Sequence, residues 1–298
     1  MDLSIIIPSY REPYLNKTVN SVLENSETEI EVFVVLDGYE PEEELSTDPR
    51  VKIIKLKENK GMRGSVNTAL PLATGKYLLK TDAHCAFAKG FDKVLMKDCA
   101  ENQLIVPRRY SLIVEGWKQD KPDSLTNVKD YHYLSSPTLT SNYGNGIFPI
   151  VWFTKNKERV AYEIDDIMTM QGSCYFVNRA YFMDHVGYLD DNPNTYGSFT
   201  GEPLEVGLKY WLGGGEMKVN KKTWYAHLFK NDKFYSEIPG LKSFKRKIHN
   251  ATNHEWGARH WLRNEEPNMI HKFEWLVEKF WPVPNWPDNW QELWEANK

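Results

Sequence analysis

The sequence has 298 residues, of which 41% are hydrophobic and 26% charged, and its formal net charge is −4. These values are typical of a globular protein with one large or two small domains, and they do not indicate a strongly basic nucleic-acid-binding chain. The three cysteines show no metal-binding spacing and no apolar run approaches the ~20 residues of a membrane span, so we expect a soluble cytoplasmic protein without a disulfide framework.

Predicted strands and helices alternate over the first 114 residues. Apolar runs indicate strands, and apolar residues three or four positions apart indicate helices. The alternation predicts an α/β fold with a mostly parallel sheet, whose ligands bind beyond the carboxyl ends of the strands. The predicted strands are 3–10, 29–38, 51–56, 76–84 and 103–114, and the predicted helices are 13–25, 60–75 and 91–102.

Two polar side chains, Asp82 and His84, end the fourth predicted strand. Residues two apart in an extended segment point the same way, so this carboxylate and this imidazole could bind one divalent ion. An imidazole ligand shifts the preference from Mg²⁺ towards Mn²⁺. From the residues alone, an aspartate that caps the turn is an equally good interpretation. The same spacing recurs at Asp130 and His132, which lie in a predicted irregular loop and are expected at the surface.

The remaining chain is less regular at first and then returns to strands and helices. Residues 115–150 are polar and predict a lid or a binding loop. Residues 241–263 are basic and aromatic, and three interpretations stay open: a cover over a diphosphate, a site for a nucleic-acid strand, or a solvated amphipathic helix. The aromatic C-terminus is expected to pack over the domain. Further predicted elements are strands at 171–178, 216–220 and 223–229 and helices at 178–186 and 201–215.

Several ordered motifs resemble those of a known enzyme family. "SIIIPSYRE", "VFVVLDG" and "ENKGMRGSVNTALPLATGKYLLKTDAH" follow one another as in the glycosyltransferases of family 2, which have the A-type fold. The Asp-x-His in place of Asp-x-Asp is similar to the polypeptide N-acetylgalactosaminyltransferases. The likeness continues through "QGSCYFVN", "GEPLEVGLKYWLGGG" and "WYAHLF", so it spans roughly residues 3–230.

This resemblance implies a Mn²⁺ (or Mg²⁺) site and a nucleotide-sugar site. It implies that Asp82, His84 and His227 hold the metal, although His227 could instead be a core histidine of a strand. Arg63 could reach the diphosphate or the base, or it could lie on a solvated helix surface, because the family usually has its arginine where this chain has Val66. The other implied donor-binding residues are Asp37 at the uracil ring, Pro8, Tyr10 and Glu12 at the nucleoside, and Gly172 together with Asp82.

Glu202 and Glu205 begin the helix predicted at 201–215. The helix dipole favours carboxylates there, which is a sufficient structural reason for both residues. The resemblance implies a catalytic role at the sugar. An inverting enzyme needs a carboxylate that deprotonates the acceptor hydroxyl, whereas in a retaining enzyme the carboxylate would bind sugar hydroxyls. The sequence leaves the stereochemistry open.

The resemblance implies a catalytic domain over 1–235, with a Rossmann-like nucleotide-binding half (1–114) and a sugar and acceptor half (115–235), and a helical extension (236–298) that packs on it. The implied function is a metal-dependent transfer of a sugar from a UDP-sugar to a hydroxyl acceptor, with a glycan as the expected acceptor. The alternatives are transfer to hydroxylated bases of DNA and a non-catalytic nucleotide-sugar-binding module. A dinucleotide-dependent oxidoreductase is disfavoured because no Gly-x-Gly-x-x-Gly follows the first strand.

Overall fold

A computed structural model describes residues 1–121, 128–137, 140–141, 144–230, 237 and 251–292 of the chain. The strands are β1 (Leu3–Ser9), β2 (Ile30–Leu36), β3 (Val51–Lys55), β4 (Tyr77–Thr81), β5 (Cys85–Phe87), β6 (Gln103–Ile113), β7 (Lys118–Gln119), β8 (His132–Leu134), β9 (Thr140–Ser141), β10 (Gly144–Asn145), β11 (Pro149–Val151), β12 (Ile164–Asp166), β13 (Cys174–Asn178) and β14 (Glu216–His227). The helices are α1 (Leu15–Asn25), α2 (Gly61–Ala69), α3 (Phe91–Asp98), α4 (Phe153–Glu158), α5 (Arg179–His185), α6 (Glu202–Leu212), α7 (Ala251–Leu262) and α8 (Phe273–Phe280).

One large sheet forms the centre of the fold, with the strand order β12-β14-β6-β13-β4-β1-β2-β3. The strands β3, β2, β1 and β4 are parallel neighbours, as the predicted strand and helix alternation requires. Beyond β4 the sheet is mixed, because β13 runs antiparallel to both β4 and β6, while β6 and β14 are parallel. The predicted α/β fold with a mostly parallel sheet is therefore confirmed.

The parallel half is held together by strands that are buried on both faces. All seven residues of β2 are buried, which explains why its sequence is a continuous apolar and β-branched run rather than an alternating one. Helix α1 turns Leu15, Val19 and Val22 towards this core. Each fully buried Val or Leu side chain contributes about 1.5–3 kcal/mol to the stability of the fold. The parallel half of the sheet is therefore a rigid support for the residues that follow β1, β2 and β4.

Two predictions for the second half are corrected by the structure. The two strands predicted around residues 216–229 form the single strand β14, whose register against β6 shifts between Asn220 and Trp224. The polar residues at this irregularity resemble a turn in the sequence, although pairing continues on both sides of them. The described parts of 115–150 also contain the short strands β7 to β11.

The C-terminal residues pack on the domain through aromatic side chains. The rings of Trp211 in α6 and Phe280 in α8 lie 5.6 Å apart, and Trp286 and Trp290 are buried. Of the basic aromatic segment predicted at 241–263, residues 241–250 lie outside the described residues. Trp261 in α7 is buried and donates its indole N–H to a tyrosine hydroxyl, so this ring fills the core. None of the helices in the described ranges is both long and apolar enough to cross a membrane.

Candidate active site

A cavity of about 270 Å³ opens where the strands β1, β2 and β4 end. The parallel register places Ser9, the last residue of β1, beside Leu36, the last residue of β2, so the residues that follow these strands meet at one edge. Most of the predicted site residues line this cavity, namely Pro8, Tyr10, Glu12, Asp37, Asp82, His84 and His227. Arg63, Gly172, Glu202 and Glu205 are not among its lining residues.

The three predicted metal ligands converge at one end of the cavity. One ligand atom each from Asp82, His84 and His227 lies within 4.8 Å of the others. The His227 Nε2 atom is 3.2 Å from Asp82 Oδ2, and His84 Nε2 is 3.9 Å from the same oxygen. Strand β5 pairs with the end of β14, and the register places Cys85 opposite His227. Because His84 directly precedes Cys85 in the chain, this pairing brings the two histidines together.

Glu12 holds His84 in the orientation that a metal ligand needs. Its Oε2 atom lies 3.1 Å from His84 Nδ1 and also bonds the Lys230 ammonium, which leaves His84 Nε2 on the side of Asp82. Burial raises the pKa of Glu12, but the charges of His84 and Lys230 outweigh burial and lower it to about 2. A carboxylate behind a histidine is a common outer-shell partner in metal sites, so the geometry supports this role more directly than contact with a nucleoside.

The donor set fits a divalent ion such as Mn²⁺. Burial lowers the pKa of His227 to about 3, although the hydrogen bond to Asp82 acts to raise it, so the ring is neutral and keeps a lone pair. Burial also acts on Asp82, but the Lys80 charge and the two histidines hold the pKa of this carboxyl well below its usual range. One carboxylate and two imidazole nitrogens form a borderline set that suits Mn²⁺.

Lys80 is a residue at this site that the sequence interpretation missed. Its side chain is 4% exposed, and its Nζ atom donates to Gly172 O at 2.8 Å, to Asp82 Oδ1 at 3.0 Å and to Glu202 Oε2 at 3.0 Å. Burial lowers the pKa of Lys80, but the charges of Asp82 and Glu202 reverse this effect and raise it. The available signal was a lysine inside an apolar strand, two positions before Asp82 and hence on the same face.

Lys80 connects Glu202 to the group of side chains formed by Asp82, His84 and His227. The other Glu202 oxygen, Oε1, accepts a hydrogen bond of 3.0 Å from the Tyr175 hydroxyl. Burial raises the pKa of Glu202, the Lys80 charge acts to lower it, and the Asp82 charge adds to the rise. Gly172 has a φ of +90° and would place a Cβ 2.7 Å from Pro203 Cγ, so this glycine permits the segment just before β13 to approach the start of α6 closely.

Arg63 and Glu205 form a buried ion pair that joins α2 to α6. Arg63 is 0% exposed, its guanidinium bonds Glu205 and Thr200 O, and it lies 4.5 Å from the Tyr196 ring centre. The interpretation of Arg63 as a solvated surface residue is therefore wrong. Glu205 also accepts from Lys209 at 3.0 Å. The geometry gives both residues a role in positioning α6.

The Asp37 carboxylate lines the cavity but is engaged with the start of α2. It accepts hydrogen bonds from Asn59 Nδ2 at 2.8 Å, from the Lys60 amide at 2.6 Å and from the Gly61 amide at 2.8 Å. Burial raises the pKa of Asp37, while these hydrogen bonds act against the rise. Asp37 therefore fixes the loop that forms one wall of the cavity.

The expectation that Asp130 and His132 lie at the surface is wrong. Both are 5% exposed. Asp130 pairs with Arg108 at 2.9 Å, and His132 Nε2 accepts a hydrogen bond of 2.9 Å from Arg109. Each side chain thus has its own cationic partner, because the segment that leads into β8 runs beside β6, where the Lys129 amide donates to Arg109 O at 3.0 Å.

Two curated proteins have sequences similar to that of this chain. In mouse (Mus musculus), polypeptide N-acetylgalactosaminyltransferase 5 is 27% identical over 241 residues, which are 74% of this chain and 24% of that protein. Mouse polypeptide N-acetylgalactosaminyltransferase 12 is 25% identical over 262 residues, which are 82% of this chain and 42% of that protein. The chain therefore spans less than half the length of these relatives.

A solved structure has a similar fold. The crystal structure of GalNAc-T7 with UDP, GalNAc and Mn²⁺ superposes with a TM-score of 0.58 at 17% identity, over 83% of this chain and 48% of that one. The family model described as "Glycosyl transferase family 2" matches residues 4–186, more than half of the chain and the strands that end at the cavity. The protein therefore belongs to glycosyl transferase family 2 and has the A-type fold.

Proposed function

We propose that the protein is a metal-dependent glycosyltransferase that moves a sugar from a UDP-sugar to a hydroxyl acceptor. The observation that carries the proposal is the Asp82, His84 and His227 cluster, which shares one cavity with Pro8 and Asp37 at the ends of β1 and β2. Nucleotides bind at such strand ends in open α/β sheets, so the cavity suits a nucleoside diphosphate whose phosphates meet a metal. The relative solved with UDP, GalNAc and Mn²⁺ supports this choice of donor and ion.

Asp82, His84 and His227 would hold the ion, with Glu12 orienting His84 from behind. A bound divalent ion supplies Lewis-acid stabilisation of the negative charge that develops on the leaving diphosphate. Side chains of the protein would make the other contacts with the donor. The cavity walls formed by Pro8 and Tyr10 would bind the nucleoside, and the predicted contact of Asp37 with the uracil ring belongs to the same proposal.

We assign Glu202 to the sugar end of the site. Both of its oxygens accept hydrogen bonds, one from Lys80 and one from Tyr175. Glu202 is therefore a poor candidate for a general base, and its role is to hold Lys80 and Tyr175 in position beside the sugar. This arrangement supports sugar binding over proton abstraction. Glu205 acts through its pairing with Arg63 in keeping α6, which begins at Glu202, in place.

Isothermal titration with UDP, with and without Mn²⁺, tests the proposal. We expect tight binding with Mn²⁺ and a loss of about tenfold or more when His84→Ala removes one ligand. The matched control is His185→Ala, an exposed histidine of α5 that bonds only its own helix among the contacts described. Equal binding without the ion, or unchanged binding in His84→Ala, would overturn the metal assignment.

A second assay separates an enzyme from a binding module. Incubation with UDP-sugars and Mn²⁺ should release UDP by slow hydrolysis, and mass shifts across glycan, peptide and hydroxylated DNA pools should identify the acceptor. We propose a glycan acceptor. Binding of UDP without UDP release from any donor would favour the non-catalytic module.

We also propose that the protein acts in the cytoplasm. Its three cysteines are free thiols, and Cys85 and Cys174 are buried, which suits a reducing compartment. A disulfide in unreduced protein isolated from its source cells, detected by peptide mass spectrometry, would contradict this proposal.

A further inference from the structure

A buried arginine on the central sheet has no carboxylate partner in the part of the chain that the structure describes. Arg109 lies in β6, is 2% exposed and donates to Gln171 Oε1 at 2.9 Å and to His132 Nε2 at 2.9 Å. Its Nε atom has no hydrogen-bond partner, and no ion pair involves Arg109 within the described residues. Burial lowers the pKa of Arg109, and the charges of Asp130 and Asp82, which act to raise it, do not offset this effect. Buried cations are normally paired with an anion, so an anionic ligand from outside the chain would stabilise the Arg109 guanidinium.

Lys129 is a second cation beside the first. Its backbone amide donates to Arg109 O at 3.0 Å, and its Nζ atom is 3.4 Å from the Ser111 hydroxyl. Burial and then the Arg109 charge lower the pKa of Lys129 to about 8. Across the ranges that the structure describes, no acidic side chain pairs with this ammonium. Two adjacent like charges without a counter-ion repel each other, and an anion between them would remove that cost.

The two cations lie directly behind the wall of the cavity. The Phe229 ring, which is 46% exposed, covers both, with Lys129 Nζ 3.7 Å and the Arg109 guanidinium carbon 5.2 Å from its centre. Phe229 and Gln171 line the cavity, and Phe229 also contacts the ring of His227 at 5.1 Å. The contact of a cation with a ring face is weaker than a charge-assisted hydrogen bond, so an anion can displace the ring.

The strand order shows which part of a substrate would meet these cations. Strand β6, which carries Arg109, lies on the opposite side of β4 from β1 and β2. The nucleoside is proposed to bind at the ends of β1 and β2 and the diphosphate at Asp82, after β4. The groups that reach β6 are then the transferred sugar and the acceptor.

We propose that Arg109 and Lys129 form an anion subsite that selects a substrate with a carboxylate or phosphate group, carried by the acceptor or by the sugar of the donor. The proposal rests on the proposed function, because that function sets the direction of the substrate in the cavity. It narrows the substrate class from any hydroxyl compound to an anionic one.

Binding measurements with matched anionic and neutral ligands test this subsite. In the donor arm, UDP-glucuronic acid is compared with UDP-glucose in the presence of Mn²⁺. In the acceptor arm, glucose 6-phosphate is compared with glucose on protein saturated with UDP and Mn²⁺. We expect a preference of about tenfold for the anionic ligand in one arm, which identifies the source of the anion.

The variants are Lys129→Met and Arg109→Gln, with Lys155→Met as control. Lys155 is also a half-buried lysine over aromatic rings, 4.4 Å from the Trp152 centre, but it does not line the cavity. We expect Lys129→Met to reduce the anion preference to about threefold or less and Lys155→Met to leave it unchanged. Should Arg109→Gln fail to fold, Lys129→Met alone decides the matter.

Three outcomes would overturn the inference. The first is equal affinity for anionic and neutral ligands in both arms, and the second is a preference that survives in Lys129→Met. In both cases Mn²⁺-dependent UDP binding would still support the proposed function. The third is a wild-type protein that does not bind UDP with Mn²⁺, which overturns the proposed function and this inference with it.

Discussion

Replacing Lys80 by methionine should destabilise the protein strongly. The Lys80 ammonium is 4% exposed and bridges two carboxylates, Asp82 and Glu202, at 3.0 Å each. Methionine fills a similar volume, so the change removes the charge without leaving a large cavity. What remains is a pair of neighbouring carboxylates without their cation.

The magnitude follows from the burial of the two partners. Removing one member of a buried ion pair costs about 3–5 kcal/mol, because the other charge stays desolvated. Glu202 is 4% exposed and is expected to carry nearly this full cost. Asp82 is 26% exposed, so water screens it and its share is smaller. We therefore expect Lys80→Met to lower the free energy of unfolding by about 3–5 kcal/mol.

Urea unfolding followed by tryptophan fluorescence measures this change. The matched control is Lys55→Met, which breaks a pair with Glu40 whose members are 60% and 69% exposed, and it should cost about 0–1 kcal/mol. The double variant Lys80→Met with Glu202→Gln should be more stable than Lys80→Met alone, because it removes the stranded charge. A loss below about 1 kcal/mol in Lys80→Met, or no recovery in the double variant, would refute the bridging role.

Three further predictions follow from single contacts. Mn²⁺ should raise the melting temperature of the wild type and of His185→Ala but not of His227→Ala, since the last variant lacks a ligand; a normal Mn²⁺ response in His227→Ala would contradict the site. Glu31 is 1% exposed, and although burial raises its pKa, hydrogen bonds from a lysine, two hydroxyls and an amide lower it to about 2. The stabilising effect of ionised Glu31 is complete above its ordinary pKa of 4.5 and is lost as the pH falls towards 2. Glu31→Gln should therefore make the free energy of unfolding decline less steeply between pH 4.5 and 2, as measured by urea unfolding at several pH values. Gly172→Ala should cost about 1–3 kcal/mol, because φ is +90° and the new Cβ would lie 2.7 Å from Pro203 Cγ; an unchanged urea midpoint would show that the backbone can relax.

The candidate metal site was predictable only in part from local sequence. Asp82 and His84 follow a strand and are two residues apart, so the predicted extended backbone would point them the same way. In the structure β4 ends at Thr81 and the backbone bends at Ala83 and His84, yet their ligand atoms still lie close together. His227 is 145 residues from Asp82, and no periodicity connects the two. Its assignment needed the resemblance to a family, and the pairing of β5 with β14 supplies the physical reason for its position.

Burial was the property that local sequence predicted least well. Asp130 and His132 lie in a polar stretch that is typical of a surface loop, yet both are buried beside arginines of β6. Arg63 resembled a solvated helix residue and is fully buried against Glu205. A charged side chain can be buried when a partner from a distant part of the chain satisfies it, and a sequence pattern does not show that partner.

The sequence by itself determined the strand and helix alternation, the edge of the sheet at which the candidate site lies, and the chemical type of the first two candidate metal ligands. These features depend on residues that are close together in the chain, where backbone geometry alone decides which side chains share a face. The tertiary structure decided which distant groups meet: the third candidate ligand His227, the Lys80 bridge to Glu202, and Arg109 behind the cavity wall, which has no carboxylate partner among the described residues. Those contacts depend on strand order and register, which bring residues together irrespective of their distance in sequence.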